Sequence, residues 1–295
     1  MAHELHVYQA LWAMDRLSSP EASTAEKFDR VRAAGFDGMA IDLGALTMAQ
    51  AEATVPHFSR TGLRGGLTAF PNSIEALRPA LALAHRIAAP CVVVIGQEMP
   101  VALGEMIPVI DGWLRVAEQE GMPIQFETHR NCITNDLYTT VQLLDAVPAM
   151  RLAADLSHYV VDREMPCPPT AALEALISKI LACSDSFQGR VAARGQIQLP
   201  LHFPQSAKWV DLFRRWWRQG FAEWQTRHAM DNVPLVFLCE LGPPDYALTD
   251  AHGGEFSDRW EEALVLARWA RELWRGVQPA APPAAAPPAA AQFNI

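Results

Sequence analysis

Three carboxylates follow short apolar segments in this chain of 295 residues. Glu127 occurs in IQFETHRN, Asp155 in LAADLSHYV and Glu240 in VFLCELGPP. If these segments are neighbouring strands, three acids converge in one pocket, where like charges cannot all stay ionised. A divalent cation would resolve the conflict: oxygen ligands suit Mg²⁺ or Mn²⁺, and an added imidazole makes Mn²⁺, Co²⁺ or Zn²⁺ suitable as well. We therefore predict a divalent-metal site formed by these three residues.

Two histidines lie beside the acids in the sequence. His129 is two residues after Glu127, and strand alternation would point both side chains to the same side. His158 is three residues after Asp155, in the turn beyond the strand, within reach of a substrate hydroxyl. The alternative for each is a structural histidine that is simply hydrogen-bonded. We predict that both bind substrate.

The elements that must position these residues form eight strand-then-helix units. The predicted strands are residues 5–12, 37–42, 63–70, 91–96, 123–128, 151–156, 189–194 and 234–240. A capping box of Ser23 and Glu26 begins the first helix, which stops at Gly35. The later helices are predicted near residues 48–61, 74–88, 101–120, 134–147, 169–184, 206–228 and 257–275.

Eight such units match the size of an α/β fold, the (β/α)8 TIM barrel, whose chemistry lies at the C-terminal ends of the strands. An open doubly wound sheet is the alternative, but no GxGxxG follows the first strand. We predict one barrel domain over residues 1–275. Residues 276–295 are rich in proline and alanine and are expected to form a flexible tail.

Composition excludes several classes of partner. The chain has 24 Lys+Arg against 33 Asp+Glu, a net charge of −9, which disfavours a nucleic-acid partner. No apolar run approaches the roughly 20 residues that span a bilayer, and no signal peptide is recognisable, so we expect a cytoplasmic protein without a membrane partner. The five cysteines contain no CxxC pair, which argues against a disulfide framework or zinc knuckle. Homo-oligomerisation is left open.

The strand ends FETHRN, ADLSHYV and CELGPP resemble those of the xylose isomerase-like TIM-barrel superfamily. That superfamily includes sugar isomerases, sugar epimerases and endonuclease IV, and the resemblance extends through strand order over about residues 5–275. Its ketose 3-epimerase branch implies that Glu127, Asp155 and Glu240 bind the metal. It also implies that the two glutamates exchange a proton at the substrate carbon and that His158 binds substrate.

The predicted seventh strand departs from that pattern. The superfamily usually has a metal-binding histidine there, often as His-x-Arg, whereas residues 189–194 place Ala192 before Arg194. The missing ligand would be supplied by Gln196 or Gln198, by His202, or by water. Gln196, close to the strand, is our prediction, since an amide oxygen is acceptable to Mg²⁺ or Mn²⁺.

The combined expectation is a metal-dependent isomerase, epimerase or related lyase. It would abstract a proton next to a carbonyl of a sugar or sugar acid, with Glu127 and Glu240 as catalytic acid and base. Arg194 would bind a substrate carboxylate through a bidentate contact. One alternative is a degenerate, non-catalytic barrel that binds a ligand. An endonuclease IV-like repair enzyme is the other, and the acidic charge and the few strand-end histidines disfavour it.

Overall fold

Eight parallel strands close into a barrel in sequence order, which confirms the predicted TIM-barrel fold. The computed structural model describes residues 3–18 and 20–277. The last strand pairs with the first from Leu5↔Leu235 to Gln9↔Cys239 and so closes the barrel. The strands are β1 (Leu5–Ala10), β2 (Gly38–Asp42), β3 (Arg64–Ala69), β4 (Val92–Val94), β5 (Ile124–Glu127), β6 (Leu152–Ala154), β7 (Ser184–Gly189) and β8 (Leu235–Cys239).

α-Helices surround the barrel, and nine of them lie within the described residues. They are α1 (Thr24–Ala33), α2 (Met48–Thr61), α3 (Arg78–Arg86), α4 (Leu103–Glu120), α5 (Leu137–Ala146), α6 (Leu156–Asp162), α7 (Ala171–Ala182), α8 (Ala207–Arg227) and α9 (Arg259–Gly276). None of these helices is long and apolar enough to cross a membrane. The predicted proline-rich tail lies, from residue 278 onward, outside the described residues.

Local sequence signals account for most of these boundaries. The predicted capping box is present: the Ser23 side chain accepts from the Glu26 amide, and the Glu26 side chain accepts from the Ser23 amide. The second helix occupies the predicted range, with a capping box at Thr47 and a left-handed Gly62 after its last turn. These contacts satisfy amides and carbonyls that helix ends leave unpaired, so the sequence locates the ends.

Apolar residues pack in two separate places. The main core lies between strands and helices, while a smaller buried cluster includes Tyr8, Ala40 and Leu238. A Cβ atom on Gly38 would come within 2.5 Å of the Tyr8 ring. The strand glycine therefore makes room for the one large ring of this cluster.

The prediction for strand seven was wrong. The strand is Ser184–Gly189, and the predicted range 189–194 is mostly the loop that follows it. Its sequence SDSFQG is mostly polar, and Ser184, Ser186 and Gln188 are buried. The Ser186 hydroxyl, for example, donates to the Gln125 side chain at 2.5 Å. Because this partner is distant in sequence, the segment lacks the apolar character expected of a buried strand. The strand therefore ends five residues earlier than predicted.

A short helix, α6, follows β6 directly where the sequence predicted only a turn. Asp155 is its N-cap residue, and its side chain accepts a hydrogen bond from the Ser157 amide. The helix places His158 in its first turn, fully buried beneath the carboxylates.

Candidate active site

The three predicted carboxylates meet at the C-terminal mouth of the barrel. Glu127 is the last residue of β5, Asp155 follows β6, and Glu240 follows β8. All three are buried, with exposures of 1%, 0% and 5%. One oxygen from each lies within 4.8 Å of the others. The barrel thus brings together the residues that the sequence selected.

Asp155 has hydrogen-bond donors on both carboxylate oxygens. Its Oδ1 accepts from the Ser157 amide at 2.9 Å and from the Ser157 hydroxyl at 2.5 Å. Its Oδ2 accepts from Arg190 Nη1 at 2.9 Å. Asp155 is fully enclosed and is not part of the cavity lining, whereas Arg190, which it contacts, lines the cavity.

Arg190 lies among the carboxylates, and the sequence analysis assigned it no role. Its Nη2 is 3.0 Å from Glu240 Oε2, and its Nε donates to the Glu240 carbonyl at 3.0 Å. The guanidinium carbon lies 4.8 Å from the centre of the Tyr246 ring, a cation–π contact. Burial disfavours the charged form of Arg190, but the charges of Asp155 and Glu240 outweigh burial and raise its pKa above the ordinary value. The guanidinium is therefore a permanent positive charge inside the site.

Glu240 contacts both Arg190 and the aromatic wall of the cavity. Its Oε1 accepts from Trp12 Nε1 at 3.3 Å. Its Oε2 lies beside Arg190 at ion-pair distance, although the angle is outside hydrogen-bond geometry. Burial raises the pKa of Glu240 to about 8, with the charges of Asp155 and Asp42 adding to the rise and Arg190 opposing it.

Glu127 lacks such an ion-pair partner. Its Oε2 atom is buried and has no hydrogen-bond partner within the described residues. Burial and then the charges of Glu240 and Asp155 raise its pKa well above the ordinary value, while a hydrogen bond from Gln188 partly opposes the rise. Burial therefore favours the protonated form of Glu127, and no cation is in ion-pair contact with it among the described residues, whereas Arg190 lies beside Glu240.

The two predicted histidines are adjacent to the carboxylates. The rings of His129 and His158 lie 4.0 Å apart, and both offer a ligand atom within 4.8 Å of Glu127. Burial lowers the pKa of His129 to about 4, and burial together with the charges of His129 and Arg190 lowers that of His158 well below its usual value. Both rings are therefore neutral near pH 7, and the contact of 3.5 Å between His158 and Asp155 is not an ion pair.

A cavity of ≈ 260 Å³ opens above this cluster. Glu127, Glu240, His129 and Arg190 form part of its lining. Its other walls are mostly contributed by loops after the early strands and by aromatic rings, namely Trp12, Asp42, Gly44, Ala45, Phe70, Ile95 and Tyr246. A small polar molecule with an apolar face would fit such a lining.

Asp42 is a further acid on the cavity wall. It ends β2, and its Oδ1 accepts from the amides of Gly44 at 2.6 Å and Ala45 at 3.1 Å. Burial raises its pKa to about 6, although the two amides favour its charged form.

The structure places the remaining predicted residues away from the cluster. Arg194 is on the surface, where its side chain is 61% exposed and pairs with Glu164 at 3.3 Å. Gln196 is exposed and forms a bridge with Ala193. Gln198 exchanges hydrogen bonds with the backbone of Gly242, and His202 faces Glu262. These positions follow from the shifted strand: Gln188 and Arg190, rather than Ala192 and Arg194, lie at the mouth of the barrel.

A signal for this arrangement was present in the sequence. Gln188-Gly189-Arg190 has the spacing of the His-x-Arg pattern that the resemblance implies for strand seven, with glutamine where the histidine is expected. Tyr246 had no comparable signal, because it reaches the cavity from a turn, whereas Trp12 was the last residue of the predicted first strand and lies in a short 3-10 helix after β1.

Solved structures with the same fold are numerous. A D-allulose 3-epimerase from Methylomonas sp., in complex with D-allulose, matches with a TM-score of 0.55 and 13% identity, over 94% of this chain and 98% of that one. A probable 3-DHS dehydratase from Bacillus anthracis matches with a TM-score of 0.56 and 13% identity, over 89% of this chain and 98% of that one.

The name of a third matching structure states its fold. It is a xylose isomerase-like TIM barrel protein from Mycobacterium smegmatis in complex with magnesium, with a TM-score of 0.55 and 16% identity, over 91% of this chain and 97% of that one. This chain has the xylose isomerase-like barrel fold. The predicted resemblance is thereby confirmed at the level of fold. No protein-family model matches the chain, and no curated protein matches it in sequence.

Proposed function

We propose that this protein is an enzyme that moves a proton at a carbon next to a carbonyl of a sugar or sugar acid. The observation that carries the proposal is that two buried glutamates, Glu127 and Glu240, line one cavity and have raised pKa values. Raised carboxyl pKa values near neutrality are what general acid–base catalysis requires. The epimerases with the same fold support the sugar-like substrate class.

We infer the roles of the two glutamates from the residues beside them. Arg190 lies 3.0 Å from Glu240 and favours its ionised form, so Glu240 is the base. Glu127 has no cation in ion-pair contact within the described residues, and burial favours its protonated form, so Glu127 is the acid. When Glu240 removes the proton, the C–H electron pair forms a carbon–carbon double bond and the carbonyl oxygen gains negative charge. Glu127 then gives its proton to carbon, the electrons of the carbon–carbon double bond form the new C–H bond and the carbonyl is restored, which yields an epimer when the proton arrives on the opposite face. Exchange of protons with water then restores the starting forms of the two carboxyls.

The remaining cavity residues suit a small ligand with several hydroxyls. The neutral imidazole of His129 offers a hydrogen-bond donor or acceptor to a hydroxyl, and His158 supports it from below at a ring distance of 4.0 Å. Trp12 and Tyr246 pack edge to face at 5.4 Å, and their rings supply an apolar wall for the carbon face of a sugar. A cavity of ≈ 260 Å³ favours a monosaccharide-sized ligand over a polymer.

The predicted divalent metal would be held by Glu127, Asp155 and Glu240. These residues do not fit a metal ion as they stand, because Arg190 already contacts Asp155 Oδ2 and Glu240 Oε2. Of the three, only Glu127 has an oxygen on which neither a hydrogen bond nor an ion pair is found within the described residues. The proton transfer described above therefore includes no step at a metal.

Hydrogen exchange tests the proposed function whatever the product, because a base that has removed the proton can exchange it with D₂O and return a deuteron to the same carbon. Ketoses, aldoses and sugar acids are incubated with the protein in D₂O, and NMR follows deuterium at the carbon beside the carbonyl. We expect exchange on at least one substrate, and we expect Glu240→Gln to reduce its rate by about 10²-fold or more, since a positioned base contributes 10²–10⁴-fold. Glu127→Gln should preserve binding and the exchange through Glu240 but block net epimerisation, in which Glu127 gives the proton.

The matched control is Glu52→Gln, which removes a half-exposed carboxylate that pairs with Arg86 on the helical surface. It should exchange deuterium at the wild-type rate. Wild-type exchange in folded Glu240→Gln would overturn the assignment of the base. Saturable sugar binding without any exchange would instead support the non-catalytic binding barrel.

A further inference from the structure

We propose that the guanidinium of Arg190 is the resident cation of this site and replaces a divalent metal ion. This inference rests on the proposed function and specifies how the negative charge of the reaction is stabilised. Arg190 follows β7, and its side chain is 2% exposed beneath a cavity that it also lines.

Arg190 contacts two of the three carboxylates that would hold a metal ion. Nη1 lies 2.9 Å from Asp155 Oδ2, and Nη2 lies 3.0 Å from Glu240 Oε2. Nε donates to the Glu240 carbonyl at 3.0 Å. Asp155 and Glu240 together therefore contact all three nitrogens of the guanidinium. A planar guanidinium held in this way cannot move aside without leaving Asp155 buried and unpaired.

The other groups that contact the carboxylates are hydrogen-bond donors as well. Ser157 donates twice to Asp155 Oδ1, and Trp12 donates to Glu240 Oε1. A metal needs free oxygen lone pairs at about 2.0–2.6 Å, and a second cation would be repelled by Arg190 in this buried environment. Gln188 stands where the resemblance implies a metal-binding histidine, so the imidazoles near the carboxylates are those of His129 and His158, whose ligand atoms lie within 4.8 Å of Glu127.

The position of Arg190 suits the charge that develops during proton transfer. When Glu240 takes the proton from carbon, the electron pair forms the new double bond and the carbonyl oxygen of the substrate becomes negative. The guanidinium is on the cavity floor next to the base, and a preorganised cation in a buried site stabilises such charge strongly. The step needs no oxidant, reductant or additional ion.

The first experiment measures the metal requirement of the wild-type protein. The protein is dialysed against EDTA, then against metal-free buffer, and deuterium exchange is compared with and without added Mn²⁺, Mg²⁺, Co²⁺ or Zn²⁺. Calorimetry measures Mn²⁺ binding to the same sample. We expect unchanged exchange and no binding heat. Stoichiometric Mn²⁺ binding together with exchange that EDTA abolishes and Mn²⁺ restores would overturn the proposal.

The second experiment changes Arg190. We expect Arg190→Gln to lower kcat/KM for exchange by about 10²-fold or more, the effect of removing one oxyanion-stabilising donor. Gln188→His combined with Arg190→Gln should gain calorimetric Mn²⁺ binding and a rise in melting temperature with Mn²⁺. The control is Arg86→Gln, a surface arginine paired with Glu52, which should retain wild-type exchange and gain no binding.

The two experiments separate this inference from the proposed function. If no substrate exchanges deuterium, the proposed function fails, while calorimetry still shows whether the wild type excludes Mn²⁺ and the double variant accepts it. If the Arg190 variants do not fold, the EDTA and calorimetry results on the wild type decide alone. Wild-type exchange in folded Arg190→Gln would refute the role of the guanidinium.

Discussion

Glu127 and Glu240 are two glutamates of one cavity whose neighbours make them chemically different. Glu240 is beside the guanidinium of Arg190, whereas the Oε2 of Glu127 is enclosed without a partner within the described residues. Two carboxyls of the same type thus receive opposite roles from their surroundings, as expected for an acid–base pair. Arg190 contributes to the difference because its guanidinium is in ion-pair contact with Glu240, whereas it acts on Glu127 only through its charge.

The role of Glu240 predicts a specific pH dependence. Burial raises its pKa to about 8, and a base acts only when unprotonated. The exchange rate should therefore rise with pH, about tenfold per unit below the pKa, and level off above about pH 8. A profile of log kcat/KM from about pH 6 to pH 9 measures this rise. A flat profile over that interval would exclude Glu240 as the base, and Glu52→Gln should reproduce the wild-type curve.

At the scale of elements, β7 connects the site to the outer helical layer. Gln188 faces the carboxylates, while Phe187 on the opposite side of the strand packs against Phe221 of α8 at a ring distance of 5.4 Å. A Cβ atom on Gly220 of α8 would lie 2.4 Å from the Phe187 ring. The strand and its helix therefore approach each other more closely than any larger residue at position 220 allows.

Gly220→Ala should lower the free energy of unfolding by about 1–3 kcal/mol, the usual cost of overpacking a well-packed core. Alanine normally stabilises a helix relative to glycine by about 1 kcal/mol, so a loss of stability would isolate the effect of packing. Gly104→Ala in α4 is the control, because no atom lies within 4 Å of its added Cβ. Urea denaturation of both variants measures the difference. Equal or greater stability of Gly220→Ala would contradict this close packing.

At the scale of the whole molecule, an ion-pair cluster lies at the end of the barrel opposite the site. Asp185, near the start of β7, pairs with Arg227 at 2.5 Å and with His228 at 3.0 Å, and it approaches Arg151 at 3.8 Å. The cluster joins the end of α8 to the starts of β6 and β7. Residues at this end of a TIM barrel contribute to stability rather than to chemistry.

His228 makes part of this stability depend on pH. The hydrogen bond to Asp185 raises its pKa, burial opposes the rise and Asp231 adds to it. A histidine with a raised pKa contributes stability that is complete below its unfolded pKa and is lost as pH rises through the folded value. His228→Gln should therefore lower the melting temperature at about pH 5.5 and have a much smaller effect at about pH 9.

Thermal unfolding of the wild type and His228→Gln across that pH range tests this dependence. The control is His252→Gln, an exposed loop histidine that makes no ion pair among the described residues. A difference in melting temperature that stays constant with pH would show that His228 stabilises the fold through packing alone.

The sequence by itself determined the barrel and its three convergent carboxylates. Helix signals such as the capping box at Ser23 and the glycine after α2 are local, because the groups that satisfy a helix end lie within a few residues of it. The strands that end near Glu127, Asp155 and Glu240 are marked by their own apolar residues. Strand order then placed these acids at one end of the barrel, as the sequence predicted.

Only the tertiary structure decided strand seven and the residues at its end. The partners of Ser186 and Gln188 are Gln125 and Glu127, about 60 residues earlier in the chain, so no local pattern shows that these polar side chains are buried. Because the strand ends at Gly189, Gln188 and Arg190 take the places at the barrel mouth that were predicted for Ala192 and Arg194. The spacing of Gln188-Gly189-Arg190 was visible in the sequence, but the burial of Arg190 between Asp155 and Glu240 was not, because only the fold brings these acids to the arginine.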